Sequence, residues 1–228
     1  MSLKKTILKV FPFHYFKFNK SYSQEGEDLI LKDIFFELGI RKGFFVDVGA
    51  HHPVRFSNTY LLYKKGWNGI NFEPNISSGR IFKVLRKRDK TYHIGIGNEE
   101  GEKDFYVFDE PAINSFDKET SLERDKNSPY KLLKTVKIPI LKLSTALSKF
   151  LPSGKKIDLM SVDVEGLDLE VLKSNDWEKF RPTVLLVEDM YFDMESPQNS
   201  EIWLFLRDKG YKVYAKTKRT LVFIENSL

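Results

Sequence analysis

The chain has 228 residues, 41% hydrophobic and 30% charged, which suits one soluble globular domain with a full core and excludes wholesale disorder. It has no cysteine, so disulfides, thiolate metal sites and cysteine nucleophiles are excluded, and the absence fits a reducing cytoplasm. The net charge of +5 permits attraction to an anionic partner, but no stretch is long and apolar enough to form a membrane-spanning helix.

Residues 1–20 are basic and aromatic, with Phe11, Phe13, Tyr15, Phe16 and Phe18, and carry no signal-peptide cleavage site. Such a segment suits either peripheral contact with a membrane interface or packing on its own domain. The expected location is therefore cytoplasmic, with packing on the domain or a partner contact as the first reading of this segment and peripheral membrane association as the alternative. Residues 21–228 read as a single domain. Ser23, followed by acids in the next turn, predicts a capped amphipathic helix through Leu29-Ile30-Leu31 and Ile34-Phe35-Phe36.

Phe44-Phe45-Val46-Asp47-Val48-Gly49-Ala50 is an apolar run broken by an acid, a glycine and a small residue. A buried parallel strand ending in a tight turn has this pattern, because helices make both of its faces apolar. Gly49 permits the sharp turn and leaves room for a ligand against the main chain. Tyr60 to Lys65 predicts a short helix stopped by Gly66, and Asn68 to Phe72 a second strand ending in Glu73. Pro74 and Asn75 open another helix. An acid at the second strand end, about 20 residues after the glycine turn, is what recognition of ribose hydroxyls requires. The basic run Lys83 to Lys90, interrupted by Asp89, reads as the solvated face and end of that helix rather than as a nucleic-acid patch.

Thr91 to Gly97 predicts a third strand with glycines at its exit. Residues 98–145 read as an irregular insertion, with strand candidates at Lys103–Phe108 and Val136–Ile140, where Pro139 argues for an edge or a bulge. Asp109 to Tyr130 is polar and turn-rich, which suits a substrate lid or a surface insertion. Ile157 to Val162 is a fourth buried strand, tipped by Asp163-Val164-Glu165-Gly166, with a helix at Leu167–Lys173. Thr183 to Glu188 is a fifth strand with an acidic end. A helix at Ile202–Lys209 and a strand pair, Tyr211–Tyr214 with Thr220–Glu225, complete the chain.

The motifs Ser23-Gln24-x-Gly26-Glu27-Asp28, Val46-Asp47-Val48-Gly49-Ala50-His51, Ser57-Asn58-Thr59, Glu73-Pro74-Asn75 and Ser161-Val162-Asp163-Val164-Glu165-Gly166 resemble, in order, those of the FkbM family. Its members are S-adenosylmethionine-dependent methyltransferases, chiefly O-methylating sugars, polysaccharides and natural products. The resemblance runs from about Ser21 to Glu225. It implies an α/β fold: a Rossmann-like class I methyltransferase sheet, mostly parallel with an antiparallel last strand, and helices on both faces. It also implies that Asp47, Gly49 and Ala50 surround the methionine end of S-adenosylmethionine, and that Glu73 takes the ribose hydroxyls. Asn75, Gly95 and Ile96 would flank the adenine. Asn58 and Thr59 would bind the cofactor carboxylate, and Asp163 would sit beside the sulfonium and amino group with Gln24 nearby. Because Ala50-His51-His52 replace the further glycines that a pyrophosphate demands, the pattern argues against a nicotinamide dinucleotide.

Methyl transfer to a hydroxyl benefits from a base, and Asp163 and Glu165 are two positions apart on one strand tip. Glu165 is the first candidate for base or acceptor anchor, and His51 the rival with the better-matched ordinary pKa. The expected acceptor is a small molecule or glycan, with no nucleic acid and no metal. A metal held by Asp163, Glu165 and Glu188 is the hard-oxygen alternative. A nucleic-acid methyltransferase and a non-catalytic Rossmann-like binding protein are the competing functions.

Overall fold

The structure, a computed structural model, describes residues 19–227. The N-terminal segment read at 1–20 lies outside them, save for Asn19 and Lys20. Strand β1 (Phe44–Val48) pairs in parallel with β2 (Asn68–Phe72) on one side and with β7 (Leu159–Val162) on the other. Beyond β2 lies β3 (Lys90–Tyr92), and beyond β7 lies β8 (Val184–Glu188), again parallel. Strand β10 (Thr220–Glu225) runs antiparallel between β8 and β9 (Tyr211–Lys216). The resulting seven-stranded sheet, ordered β3-β2-β1-β7-β8-β10-β9, is the Rossmann-like methyltransferase sheet that the motifs imply.

Alternation along the strands feeds two cores. Phe45, Leu159, Leu186 and Val222 face helices α1 (Glu27–Glu37) and α2 (Tyr60–Lys64), packing on Leu31, Phe35, Leu62 and Trp67. Val46, Met160, Leu185 and Phe223 face the other side, against helices α5 (Leu143–Phe150), α6 (Asp168–Lys173) and α7 (Glu201–Asp208). Burial of each such side chain contributes about 1.5–3 kcal/mol, which is why the central strands are apolar on both faces. Helix α3 (Ile76–Leu85) follows β2, with Asn75 as its N-cap accepting from the Ser77 amide. Strand order reverses between β1 and β7, so the crevice of an open α/β sheet opens above the ends of these two strands.

Several local expectations change. Helix α1 starts at Glu27 behind the left-handed Gly26, not at Ser23; the Ser23 hydroxyl instead binds the amide and carboxylate of Asp28. The predicted third strand divides into β3, at the edge of the main sheet, and β4 (Gly95–Gly97), which leaves it for a second sheet. That sheet, ordered β4-β6-β5, contains β5 (Gly101–Phe108) and β6 (Leu132–Lys142), so the stretch expected to be irregular holds a long antiparallel pair, with a register shift at Val107/Phe108. Pro139, opposite Glu102 of β5, sits one residue before the part of β6 that pairs with β4, so β5 alone flanks the strand there. Helix α4 (Lys118–Asn127) fills much of the polar connection. No helix among the described residues is long and apolar enough to cross a membrane.

Candidate functional site

A cavity of about 300 Å³ lies at the strand-order reversal. The tips of β1, β2, β7 and β8 form its floor, bringing together Asp47, Gly49, Ala50, Glu73, Asp163, Glu165 and Glu188. Backbone pairing continues past the strand ends: the Gly49 amide donates to the Phe72 carbonyl (2.9 Å), and the Asp163 amide to the Val48 carbonyl (3.0 Å). Gly49 is required twice over. Its φ is +80°, and a Cβ there would meet the Asp163 carbonyl oxygen at 1.8 Å.

The Glu73 carboxylate accepts from two backbone amides, His51 (2.6 Å) and Asn75 (2.8 Å), one on each oxygen. An ionised carboxylate has about four acceptor positions, so capacity remains for further donors. Burial pushes Glu73 up to about 7 despite these bonds. Asp47 accepts from the Thr59 hydroxyl (2.8 Å), and burial raises it to about 6. Asp163 is held well above the ordinary carboxylate range by burial and by repulsion from Glu188, Glu165 and Asp47. Glu188 is raised to about 7, first by burial and then by Glu165. Neither Asp163 nor Glu188 has a side-chain hydrogen bond or ion pair among the described residues. Among the described residues no group of three or more histidine, aspartate or glutamate side chains is arranged so as to hold a metal ion.

The motif residues that do not line the cavity serve those that do. Asp28 accepts from Ser21, Tyr22 and Ser23, Glu27 accepts from Thr217, and Glu25 accepts from the Arg219 amide. These bonds fix the loop that turns Gln24 into the cavity. Asn58 lines the cavity and donates to Ser161 (3.1 Å), whereas Thr59 is fully buried beneath it. The Thr59 hydroxyl is spent on Asp47 while accepting from Arg86, so the cofactor-carboxylate role expected of Thr59 does not fit its position. Asn75, expected to flank the adenine, is not among the residues lining the cavity, and its side chain caps α3. Gly95 and Ile96 do line the wall, where Phe116 packs so closely that a Cβ on Gly95 would meet its ring at 2.5 Å.

Glu165 pairs with Arg124 of α4 (2.7 Å) and is therefore not a free carboxylate. His51 lines the cavity with its Nε2 unpartnered, and burial, with Arg55 adding to it, lowers its pKa to about 4, so it is neutral near pH 7. Among the described residues the non-glycine positions with positive φ are His51, Phe56 and Glu165, and all of them line this cavity. Strained backbone concentrates where a surrounding fold must hold functional groups in place.

Sequence reasoning missed four contributors. Asp168 accepts from the Val164 and Gly166 amides (3.2 Å each) and shapes the loop that carries Glu165; burial raises it to about 8. Arg124 and the Pro111–Phe116 wall come from the second sheet's connection, whose polar composition reads as loop. Arg86 anchors Thr59 from below (3.0 Å) but hides within a basic run. Only Asp168, in the first turn after an acid-glycine tip, carried a readable signal.

Residues 47–213 match the methyltransferase FkbM domain. The methyltransferase sdnD of Sordaria araneosa is 33% identical over 112 residues, which is 46% of this chain and 40% of that protein. The match thus spans less than half of that relative. Among solved structures, monomeric WbdD aligns at 11% identity with a TM-score of 0.48, over 95% of this chain and 44% of that one. A Pyrococcus horikoshii protein described as an RNA methyltransferase aligns at 12% identity with a TM-score of 0.43, over 91% of both chains. The match over residues 47–213 takes in the strand tips from Asp47 to Glu188 that build the cavity, and the chain belongs to the methyltransferase FkbM domain family.

Proposed function

We propose that the cavity binds S-adenosylmethionine and directs its methyl group to a hydroxyl of a sugar, polysaccharide or related natural product. The observation that carries the cofactor reading is the set of buried carboxylates, Asp47, Asp163 and Glu188, crowded to raised pKa values, with neither Asp163 nor Glu188 in an ion pair among the described residues and the more distant Arg219 and Arg124 only moderating Glu188. Such a site is suited to a ligand bearing a sulfonium and an ammonium. It is unsuited to a polyanion, which sets the acidic floor against nucleic acid. The acceptor class comes from the family resemblance.

In this reading Glu73 offers its remaining acceptor positions to the ribose hydroxyls, and Gly95, Ile96 and Phe116 form the adenine slot. Asp163, Asp47 and Gln24 hold the cationic end, with Asn58 toward the carboxylate. Bound there, the cofactor supplies an already activated methyl group, so the protein chiefly aligns the acceptor oxygen and receives its proton. Glu165, held by Arg124 and Asp168, orients the acceptor hydroxyl and takes that proton. His51 is the rival, because its unpartnered Nε2 is neutral and able to accept.

Calorimetric titration tests this reading. S-adenosylmethionine should bind and NAD⁺ should not. Glu73→Ala should weaken binding about ten- to a hundredfold, the loss expected for charge-assisted hydrogen bonds of 1.5–3 kcal/mol. Glu165→Gln should leave affinity nearly unchanged while abolishing transfer to a responding glycan acceptor. Lost affinity with retained rate would transfer the proton-accepting role to His51, and no binding of S-adenosylmethionine would refute the methyl-donor reading.

A further inference from the structure

Helix α3 turns Ser78, Gly79 and Phe82 to the protein, and its opposite face carries large aliphatic side chains that nothing among the described residues covers. Ile76 is 57% exposed, Ile81 40%, Val84 66% and Leu85 46%. At about 100° per residue these positions share one half of the helix circumference. Arg80 lies on the same half, Lys83 beside it and Lys87 two residues past the helix end, all exposed. From Pro74 to Lys90 every exposed charge is positive: Arg80, Lys83, Lys87, Arg88 and Lys90. The single acid of that stretch, Asp89, is buried against Arg86. None of Arg80, Lys83 and Lys87 has an acidic partner among the described residues. Arg88 reaches back to the Tyr63 carbonyl, which sets the exposed Lys64 and Lys65 of the neighbouring turn beside this surface.

We propose that this face docks on an anionic lipid bilayer, its aliphatic side chains entering the headgroup–acyl boundary and its cations resting against lipid phosphates. Apolar residues interleaved with lysine and arginine on one helix face are what that boundary takes up. A second copy of this chain is a poor occupant, because a two-fold contact would set the same positive charges against themselves. A nucleic-acid backbone would satisfy the cations but leave Ile76, Ile81, Val84 and Leu85 with nothing to bury against. Helix α3 begins just beyond the Glu73–Pro74 wall of the cavity, so the docked surface adjoins the site.

The full chain is sedimented with vesicles of phosphatidylcholine alone and with vesicles containing about a third phosphatidylglycerol. It should associate with the anionic vesicles, less so as salt is raised. Ile81→Glu with Val84→Glu should weaken the association at least about tenfold. Lys83→Gln and Lys87→Gln should each weaken it about fivefold, equivalent to about 1 kcal/mol per charge. All four positions are exposed, so unchanged thermal melting identifies the variants as folded. Anionic-vesicle binding that survives these changes would overturn the proposal and transfer the contact elsewhere, the basic aromatic residues 1–18 being the first place to test. Retention on RNA without vesicle binding, or a dimer in sedimentation that Val84→Glu dissociates, would also overturn it.

Discussion

Arg86→Met is expected to destabilise the protein by about 3–5 kcal/mol, the loss seen when one partner of a buried ion pair is removed, lowering the melting temperature by about 10 °C. Both side chains of the Arg86–Asp89 pair are fully buried, with Nε to Oδ2 at 2.6 Å. The guanidinium also donates to the Pro53 carbonyl and Thr59, and it lies over the Tyr63 ring at 4.7 Å. Methionine can fill the aromatic surround but leaves the Asp89 carboxylate desolvated without its cation. Adding Asp89→Asn removes that charge while the amide oxygen still accepts from Gly69, which the native carboxylate does at 3.1 Å. The double variant should therefore recover a large part of the loss, and urea unfolding followed by circular dichroism measures the cycle. Strictly additive losses would mean that the two charges do not depend on each other. The pair also reaches the site: Arg86 holds Thr59, Thr59 holds Asp47, and the positive charge of Arg86 restrains the rise in the Asp47 pKa. Cofactor affinity of Arg86→Met should fall together with its stability.

Arg86 also marks where the sequence stops being legible. In a run of alternating basic residues nothing distinguishes the one that turns inward; only the packing of α3 against Phe45, Tyr60 and Tyr63 selects it. The strand tips were readable because a buried parallel strand must be apolar and must then stop, and Asp47-Val48-Gly49 and Asp163-Val164-Glu165-Gly166 record both events. The departure of Gly95 into a second sheet was not readable, since Thr91 to Gly97 has unbroken strand character and the change depends on Phe116 and Ile140, distant in sequence, packing on Gly95. Thr59 and Asn75 show the same limit from the other side. Both belong to motifs that bound the site, and both turned out to hold its walls, because a hydroxyl or amide that can reach a ligand can equally well reach a buried acid or a helix end.

Affinity for S-adenosylmethionine is expected to rise about tenfold or more from pH 5.5 to pH 7.5, with protons released on binding. Asp47 stands at about 6, Glu73 at about 7 and Glu188 at about 7, and Asp163 well above the ordinary range, so below neutrality much of the cluster is protonated. A cationic ligand favours the ionised forms, and each proton it must displace makes affinity rise by up to about tenfold per pH unit below the raised pKa. His51 contributes no opposing charge in this window, because its pKa is lowered to about 4. The stability of the ligand-free protein should move the opposite way. For acids whose folded pKa is raised, the stabilisation is full below the ordinary carboxylate value of about 4 and is lost as pH rises through 6 to 7. The free protein should therefore melt at lower temperature at pH 8 than at pH 5.5, and saturating ligand should reduce that difference. Calorimetry at pH 7 in two buffers of unequal ionisation heat counts the released protons, and Glu188→Gln should lower the count. Above about pH 8 the rise should end, as the ligand's own α-amino group loses its charge. An affinity that is flat or falls between pH 5.5 and 7.5 would mean that these carboxylates do not face the cation, and the cationic end of the ligand would have to be placed elsewhere in the cavity.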